Sequence, residues 1–220
     1  MSPRITFDHE LEQLQQRVTE MGTRVDGAYE KLFQALDVRD QETVENILKS
    51  DRIVHDMERD IESKCLNLIT RQQPVARDLR TISASLKVVT DIERIGDHVA
   101  DMAELLLRLK LPVLEEFSPV LPKMIEETRR MVHDAVEVFV NRQTEEAKRV
   151  IAEDDRIDDY FNQVKEDLIK LLKEEKKLPD DCVDVLMITK YLEKIGDHAV
   201  NIGEWAIFRE TGSMEDTLLL

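Results

Sequence analysis

The segment Glu93-Arg94-Ile95-Gly96-Asp97-His98 returns as Glu193-Lys194-Ile195-Gly196-Asp197-His198, with every position raised by 100. The likeness extends upstream. Glu42 to Asp51 corresponds to Glu145 to Asp154, and Val54 and His55 then match Ile157 and Asp158. A chain that repeats itself in this order must fold as two copies of one unit, so its architecture is that of half its length, used twice.

The apolar spacing says what each unit is. Leu11, Leu14, Val18, Met21, Val25, Ala28, Leu32 and Leu36 step by three or four and form one helical stripe from about 11 to 36. Residues 37 to 40 read as a short connection. A second stripe runs from about Gln41 to Thr70 and ends at Gln72-Gln73-Pro74, because the residue before proline is pushed away from helical dihedrals. A third covers about Val75 to Lys110. Pro112, Pro119 and Pro122 punctuate the stretch that joins the halves, and three further patterns follow at about 123–140, 144–173 and 179–208. Only six glycines and six prolines occur, and no alternating β-branched run stands out. The expectation is an all-α protein of two tandem three-helix bundles of long antiparallel helices, 1–112 and 113–220, related by internal duplication.

Charge narrows the function. The formal net charge is −16, a field that repels nucleic-acid backbones and anionic lipid and favours cations or basic protein surfaces. No apolar stretch approaches the roughly 18 to 20 residues of a membrane span. The amino-terminal residues lack the apolar core of a secretory signal. Cys65 and Cys182 show no Cys-x-x-Cys spacing and read as buried thiols, which fits a cytoplasmic location.

Positions four apart lie one turn above each other on a helix, so Glu93 stacks on Asp97 and Glu193 on Asp197. Like charges at that spacing weaken a helix, and a bound cation would relieve the strain. One such pair is commonplace on a solvated face; two, at identical places beside Ile-Gly and His, are not. Asp101 extends the first row, whereas the second continues with Asn201, which keeps an oxygen but loses the charge. Antiparallel packing about the turn near Gln73 sets Asp51 and His55 opposite Glu93 and Asp97. The turn near Lys176 likewise sets Asp154 and Asp158 opposite Glu193 and Asp197. Asp26 and Asp134 are weaker additions. Oxygen-dominated sets of this kind suit hard cations such as Mg²⁺, Mn²⁺ or iron, and thiol-rich sets would suit structural zinc. Di-iron oxidase bundles use Glu-x-x-His steps, and none occurs here. His98 and His198 each point about 100° away from the acidic row, and a helix-interface role is expected of them. Gly96 and Gly196 sit in mid-helix, where close approach of a neighbour or ligand would offset their low helix propensity.

The duplicated Glu-Arg/Lys-Ile-Gly-Asp, the stretch Gln73-Pro74-Val75-Ala76-Arg77-Asp78-Leu79-Arg80 and the doubled three-helix layout resemble the PhoU family of phosphate-specific transport accessory proteins. The resemblance covers about Leu11 to Phe208. It implies a non-enzymatic, metal-binding negative regulator of phosphate uptake and phosphate-starvation signalling. It also implies contact with the ATPase subunit of the phosphate ABC transporter and with a sensor histidine kinase. A cytoplasmic homodimer, peripheral to the membrane through its partners, goes with it. The implied cofactors are divalent or trivalent ions of iron, zinc, manganese or magnesium, bound singly or in multinuclear clusters. Carried over by position, Glu93, Asp97 and Asp101 form one metal motif and Glu193 and Asp197 the other. Asn201 departs from a fully acidic row. Asp51, His55, Asp154 and Asp158 rest on the helix-facing argument. The alternative is a metal-dependent phosphoesterase or polyphosphate hydrolase, since clustered carboxylates can hold two metals; against it, the sequence shows no glycine-rich phosphate loop and no evident nucleophile beside a base. An iron-storage or electron-transfer bundle is a third reading, with little to support it.

Overall fold

The computed structural model describes residues 3–34, 41–109, 114–174, 176, 178–214 and 217–218. Helices α1 (Pro3–Gln34), α2 (Gln41–Gln72) and α3 (Arg77–Arg108) form the first repeat. A short 3₁₀ turn at Leu114–Glu116 leads into α4 (Leu121–Asn141), α5 (Thr144–Ala152), α6 (Asp154–Lys173) and α7 (Pro179–Thr211). The protein is thus two three-helix bundles, with the middle helix of the second one broken. Residues 35–40 and 110–113, where the sequence places the end of the first stripe and part of the joint, lie outside the described residues. The apolar end of the chain is only partly described: Leu218 belongs to a two-residue strand, Thr217–Leu218, paired antiparallel with Ser213–Met214.

The stripes explain the packing. Helix α2 buries a narrow seam of Val44, Ile47, Val54, Ile61, Cys65 and Leu68. Helix α3 buries residues around most of its circumference, from Thr81 and Ile82 through Ile92 and Ile95 to Ala103 and Leu106. It touches α1 and α2 on one side and α7 on the other. Helix α7 does the same against α4, α5 and α6, so the third helices of the two repeats are the common wall of one continuous core. The turn from α2 into α3 is tight. Gln73 and Ala76, on either side of Pro74-Val75, both take a positive φ of 46°, a region that non-glycine residues enter at a cost of about 1–2 kcal/mol.

The sequence pattern predicts one helix over 144–173, and here the structure differs. The chain turns at Glu153, between α5 and α6, without leaving helical dihedrals (φ −74°, ψ −18°). Two contacts go with the bend. Arg130 of α4 donates to Glu153 at 3.3 Å. Gly203 of α7 leaves so little room that an added Cβ would lie 3.1 Å from Ile151 and 3.4 Å from the Ala147 carbonyl oxygen. Ala103 stands at the matching place in the first repeat, and α2 there runs unbroken. Helix α7 ends at Gly212, whose φ of 81° lets its N–H return to the Phe208 carbonyl.

Helices α1 and α4 also meet closely. The Tyr29 hydroxyl donates to the Ile125 carbonyl at 2.8 Å, and Arg129 pairs with Asp26 at 3.4 Å and with Glu30 at 3.3 Å. At Gly22 a Cβ would stand 2.5 Å from Val136 Cγ1. Valine is stiff at χ1 and cannot swing clear. Five residues on, Gly27 faces open space. Gly22→Ala is therefore expected to destabilise the protein by about 1–3 kcal/mol through overpacking, whereas Gly27→Ala stabilises it by about 1 kcal/mol through helix propensity. Denaturant unfolding of both variants beside the wild type checks the pair, and Val136→Ala should recover most of the Gly22→Ala loss.

Candidate metal centre

In the first repeat the antiparallel α2–α3 pair brings four of the expected residues together. His55 is the hub: its Nδ1 lies 2.8 Å from Glu93 Oε1, and its Nε2 lies 3.3 Å from Asp97 Oδ1 and 3.4 Å from Asp51 Oδ2. Glu93 is buried, with 6% of its surface exposed. Its second oxygen accepts no hydrogen bond and has Arg94 Nε at 3.5 Å. Arg94 also donates to Asp97 at 3.0 Å. Glu58, one turn beyond His55, joins His55 and Glu93 in a second grouping. Glu58 is absent from the residues that the repeated motif singles out, although the three-residue step from His55 keeps it on the same face.

The second repeat sets Asp154 and Asp158 of α6 against Glu193 and Asp197 of α7. Glu193 and Asp197 lie close enough to help raise the pKa values of Asp154 and Asp158. Burial, then Asp197, Asp158 and Glu193, push the Asp154 carboxyl up to about 6. Burial, then Glu193 and Asp197, raise Asp158. In the first repeat burial and Asp97 raise Glu93, and burial raises Asp51 with Asp97 and Asp101 adding to it and His55 opposing. Each cluster therefore holds more negative charge than its surroundings accommodate. In the second, lysines supply part of the balance. Lys190 Nζ lies 2.7 Å from Glu193, and Lys194 bridges Glu193 and Asp197.

The two mid-helix glycines belong to this geometry. A Cβ on Gly96 would lie 3.6 Å from Asp51 Oδ1, and one on Gly196 would lie 3.1 Å from Asp154 Oδ1. Both oxygens are buried and accept no hydrogen bond. A buried carboxylate oxygen left without a donor carries a desolvation penalty of about 1–3 kcal/mol or more. Such an oxygen, repeated at equivalent places and laid over a glycine, fits a cation as its missing partner. Asp51, His55 and Asp97 bring their donor atoms together closely enough to hold one ion, with Glu93 on the other ring nitrogen of His55. In the second repeat Asp154, Asp158, Glu193 and Asp197 could hold another, although their oxygens do not gather as tightly.

Asn201 and Asp101 are placed differently from the straight row that their spacing suggests. Four residues advance an α-helix by about 400°, so each step drifts by about 40°. By the third position the row has turned toward the other repeat. Asn201 donates to Asp91 Oδ1 at 3.0 Å, and His198 Nδ1 meets the same oxygen at 2.8 Å. At the related position on the other side, the Tyr191 hydroxyl is hydrogen-bonded to Asp101; burial and that carboxylate raise its pKa. The His98 ring stacks on Tyr191 and lies 5.6 Å from the His198 ring. Positions 91, 98 and 101 of α3 thus exchange partners with 191, 198 and 201 of α7. Both histidines serve this helix interface. Asp91 and Tyr191 were missed, though they stand two residues before each motif at the same offset of 100. Asp26, paired with Arg129 and His133, lies in the α1–α4 seam, and Asp134 groups with His133 and Glu137 on the α4 surface.

Two three-helix repeats joined through their third helices, each with an acidic cluster on its second and third, define a duplicated α-helical bundle. The PhoU domain family matches it twice, over residues 18–106 and 121–206. The chain belongs to the PhoU family. It is 33% identical over 211 residues to a phosphate-specific transport system accessory protein PhoU homologue of Clostridium acetobutylicum, covering 96% of each chain. It is 32% identical over 214 residues to PhoU homologue 1 of Methanothermobacter thermautotrophicus, covering 95% of this chain and 96% of that one. The crystal structure of the phosphate transport system regulatory protein PhoU from Streptococcus pneumoniae superposes with a TM-score of 0.87 at 30% identity, covering 96% of this chain and 99% of that one. PhoU from Pseudomonas aeruginosa gives 0.86 at 27%, covering 94% and 100%.

The raised pKa of Asp154 has a testable sign. The folded protein keeps this proton up to about pH 6, the unfolded chain only to 3.8. Between those values the native state binds more protons, so the Asp154 contribution to stability falls as pH rises and stays unfavourable above pH 6. With chelator present, Asp154→Asn should exceed the wild type in stability at about pH 7.5, and the gap should close toward about pH 4. Denaturation midpoints across that range check it.

Proposed function

We propose that this protein is a metal-binding accessory regulator of phosphate-specific transport. The observation that carries the metal part is the pair of buried, donorless oxygens, Asp51 Oδ1 and Asp154 Oδ1, each amid further carboxylates over a glycine. The regulatory part rests on family membership and on relatives described as accessory or regulatory proteins of phosphate transport. In this reading metal ions neutralise the α2–α3 and α6–α7 faces and set the shape that a partner recognises. The partners are the ATPase subunit of the phosphate transporter and a sensor histidine kinase, both reached from the cytoplasmic side. With a net charge of −16, the protein suits basic partner surfaces. Among the described residues no helix is long and apolar enough to cross a membrane, so membrane association runs through the partners. The working form is a homodimer, and its role is restraint of uptake and of phosphate-starvation signalling without catalysis.

Affinity capture tests the reading. The immobilised protein is expected to retain the transporter ATPase in the presence of divalent metal. Retention should weaken about tenfold or more for Asp97→Asn/Asp197→Asn, which keeps the shape of both side chains and removes two charges. Cells carrying that double variant should take up phosphate under replete conditions at the rate of a deletion strain. Empty capture with and without metal would reject the partner assignment, and undiminished capture by the variant would reject the metal dependence.

A further inference from the structure

The two clusters are built on one plan but differ at one position: the first repeat has His55 where the second has Asp158. In the first, Glu93 Oε1 sits 2.8 Å from His55 Nδ1 and so fixes the ring. The opposite nitrogen, Nε2, is thereby turned toward Asp51 Oδ2 and Asp97 Oδ1, at 3.4 and 3.3 Å. A carboxylate that holds one imidazole nitrogen while the other faces a ligand set is the usual support of a metal-binding histidine. Glu93 is itself 6% exposed, and its remaining oxygen accepts no hydrogen bond. In the second repeat the corresponding donors are oxygens only, and Glu193 and Asp197 are bridged by Lys194, with Lys190 also on Glu193.

We propose that the two repeats select different ions: the first, through His55 Nε2 with Asp51 and Asp97, a borderline transition metal such as Zn²⁺, and the second a hard, oxygen-seeking ion such as Mn²⁺ or Mg²⁺. Imidazole raises affinity for zinc-like ions more than for manganese or magnesium, whereas carboxylates favour the latter. Lys190 adds to the contrast: Arg94 pairs with Glu93 and Asp97 much as Lys194 pairs with Glu193 and Asp197, but Thr90 stands where the second repeat has Lys190. Lys190 offsets further charge in the second cluster, so an ion there must displace one more cation and binds more weakly. His55 is the specificity-determining residue, and Glu93 positions it. The inference rests on the metal-binding reading above and adds to it that the sites are unequal.

Single-site proteins test it. Asp154→Asn/Asp197→Asn leaves the first cluster alone, and Asp51→Asn/Asp97→Asn leaves the second. Calorimetric titration of each with Zn²⁺ and with Mn²⁺ gives two affinity ratios. The zinc-to-manganese ratio at the first site should exceed that at the second by about tenfold or more. In the first-site protein His55→Asp should bring the ratio down to the second-site value. In the second-site protein Asp158→His should raise it, and this gain holds the test open if His55→Asp folds poorly. Pulsed EPR of the Mn²⁺-loaded proteins should show nitrogen coupling at the first site and none at the second. Equal ratios, or a ratio unmoved by His55→Asp in a folded protein, would overturn the selectivity while leaving metal binding intact. Absence of binding in the wild type and both single-site proteins would overturn the metal reading and the selectivity with it.

Discussion

Repulsion between carboxylates that the helix pairing forces together is the constraint on which the rest of this molecule turns. Two acids per repeat stand one turn apart on α3 and on α7, and the antiparallel neighbour adds further donors. Hydrophobic stripes dictate that pairing: Val54 and Ile61 of α2, like Ile157 and Val164 of α6, must face the core, and their register fixes what lies beside them. The acids cannot move apart without unburying the seam. Burial and the neighbouring carboxylates instead raise the pKa values of Asp51, Glu93, Asp158 and, most clearly, Asp154. Core packing thus supplies the energy that holds an electrostatically unfavourable site in place, and in the proposed reading a captured cation reverses its sign.

The glycines show how closely the backbone serves that arrangement. A mid-helix glycine costs about 1 kcal/mol relative to alanine, and each repeat accepts it at the position over which Asp51 or Asp154 lies. The same α3 and α7 helices also carry the junction between repeats. Asp91 with His198 and Asn201, and Tyr191 with His98 and Asp101, form two related polar locks. His98 and His198 directly follow the site residues Asp97 and Asp197. The candidate clusters and the junction between repeats are therefore adjacent on the same two helices.

Much of this was legible in the sequence because it depends on period and register. The 3.6-residue stripes give the helices, the offset of 100 gives the duplication, and an antiparallel count from Gln73 brings Asp51 and His55 to Glu93 and Asp97. What was hidden depends on contacts between units or on small angular drift. Asn201 looks like the third member of an acidic row until the drift of each helical step is followed to Asp91. The bend at Glu153 goes with contacts from Gly203 and Arg130 on other helices, neither of which marks the 144–173 pattern itself. Lys190 and Lys194 read as ordinary helix-surface cations until their contacts to Glu193 and Asp197 are seen. The close meeting of α1 and α4 at Gly22 and Val136 joins the repeats, and a pattern confined to one helix cannot disclose it.

Anomalous X-ray diffraction from crystals of the protein grown in Mn²⁺ tests the central claim most directly. The account predicts one or more strong anomalous peaks in each repeat, within bonding distance of Asp51 and Asp97 in one and of Asp154 and Asp197 in the other. Crystals grown in that ion with both clusters holding only water, and with peaks confined to lattice contacts, would contradict it.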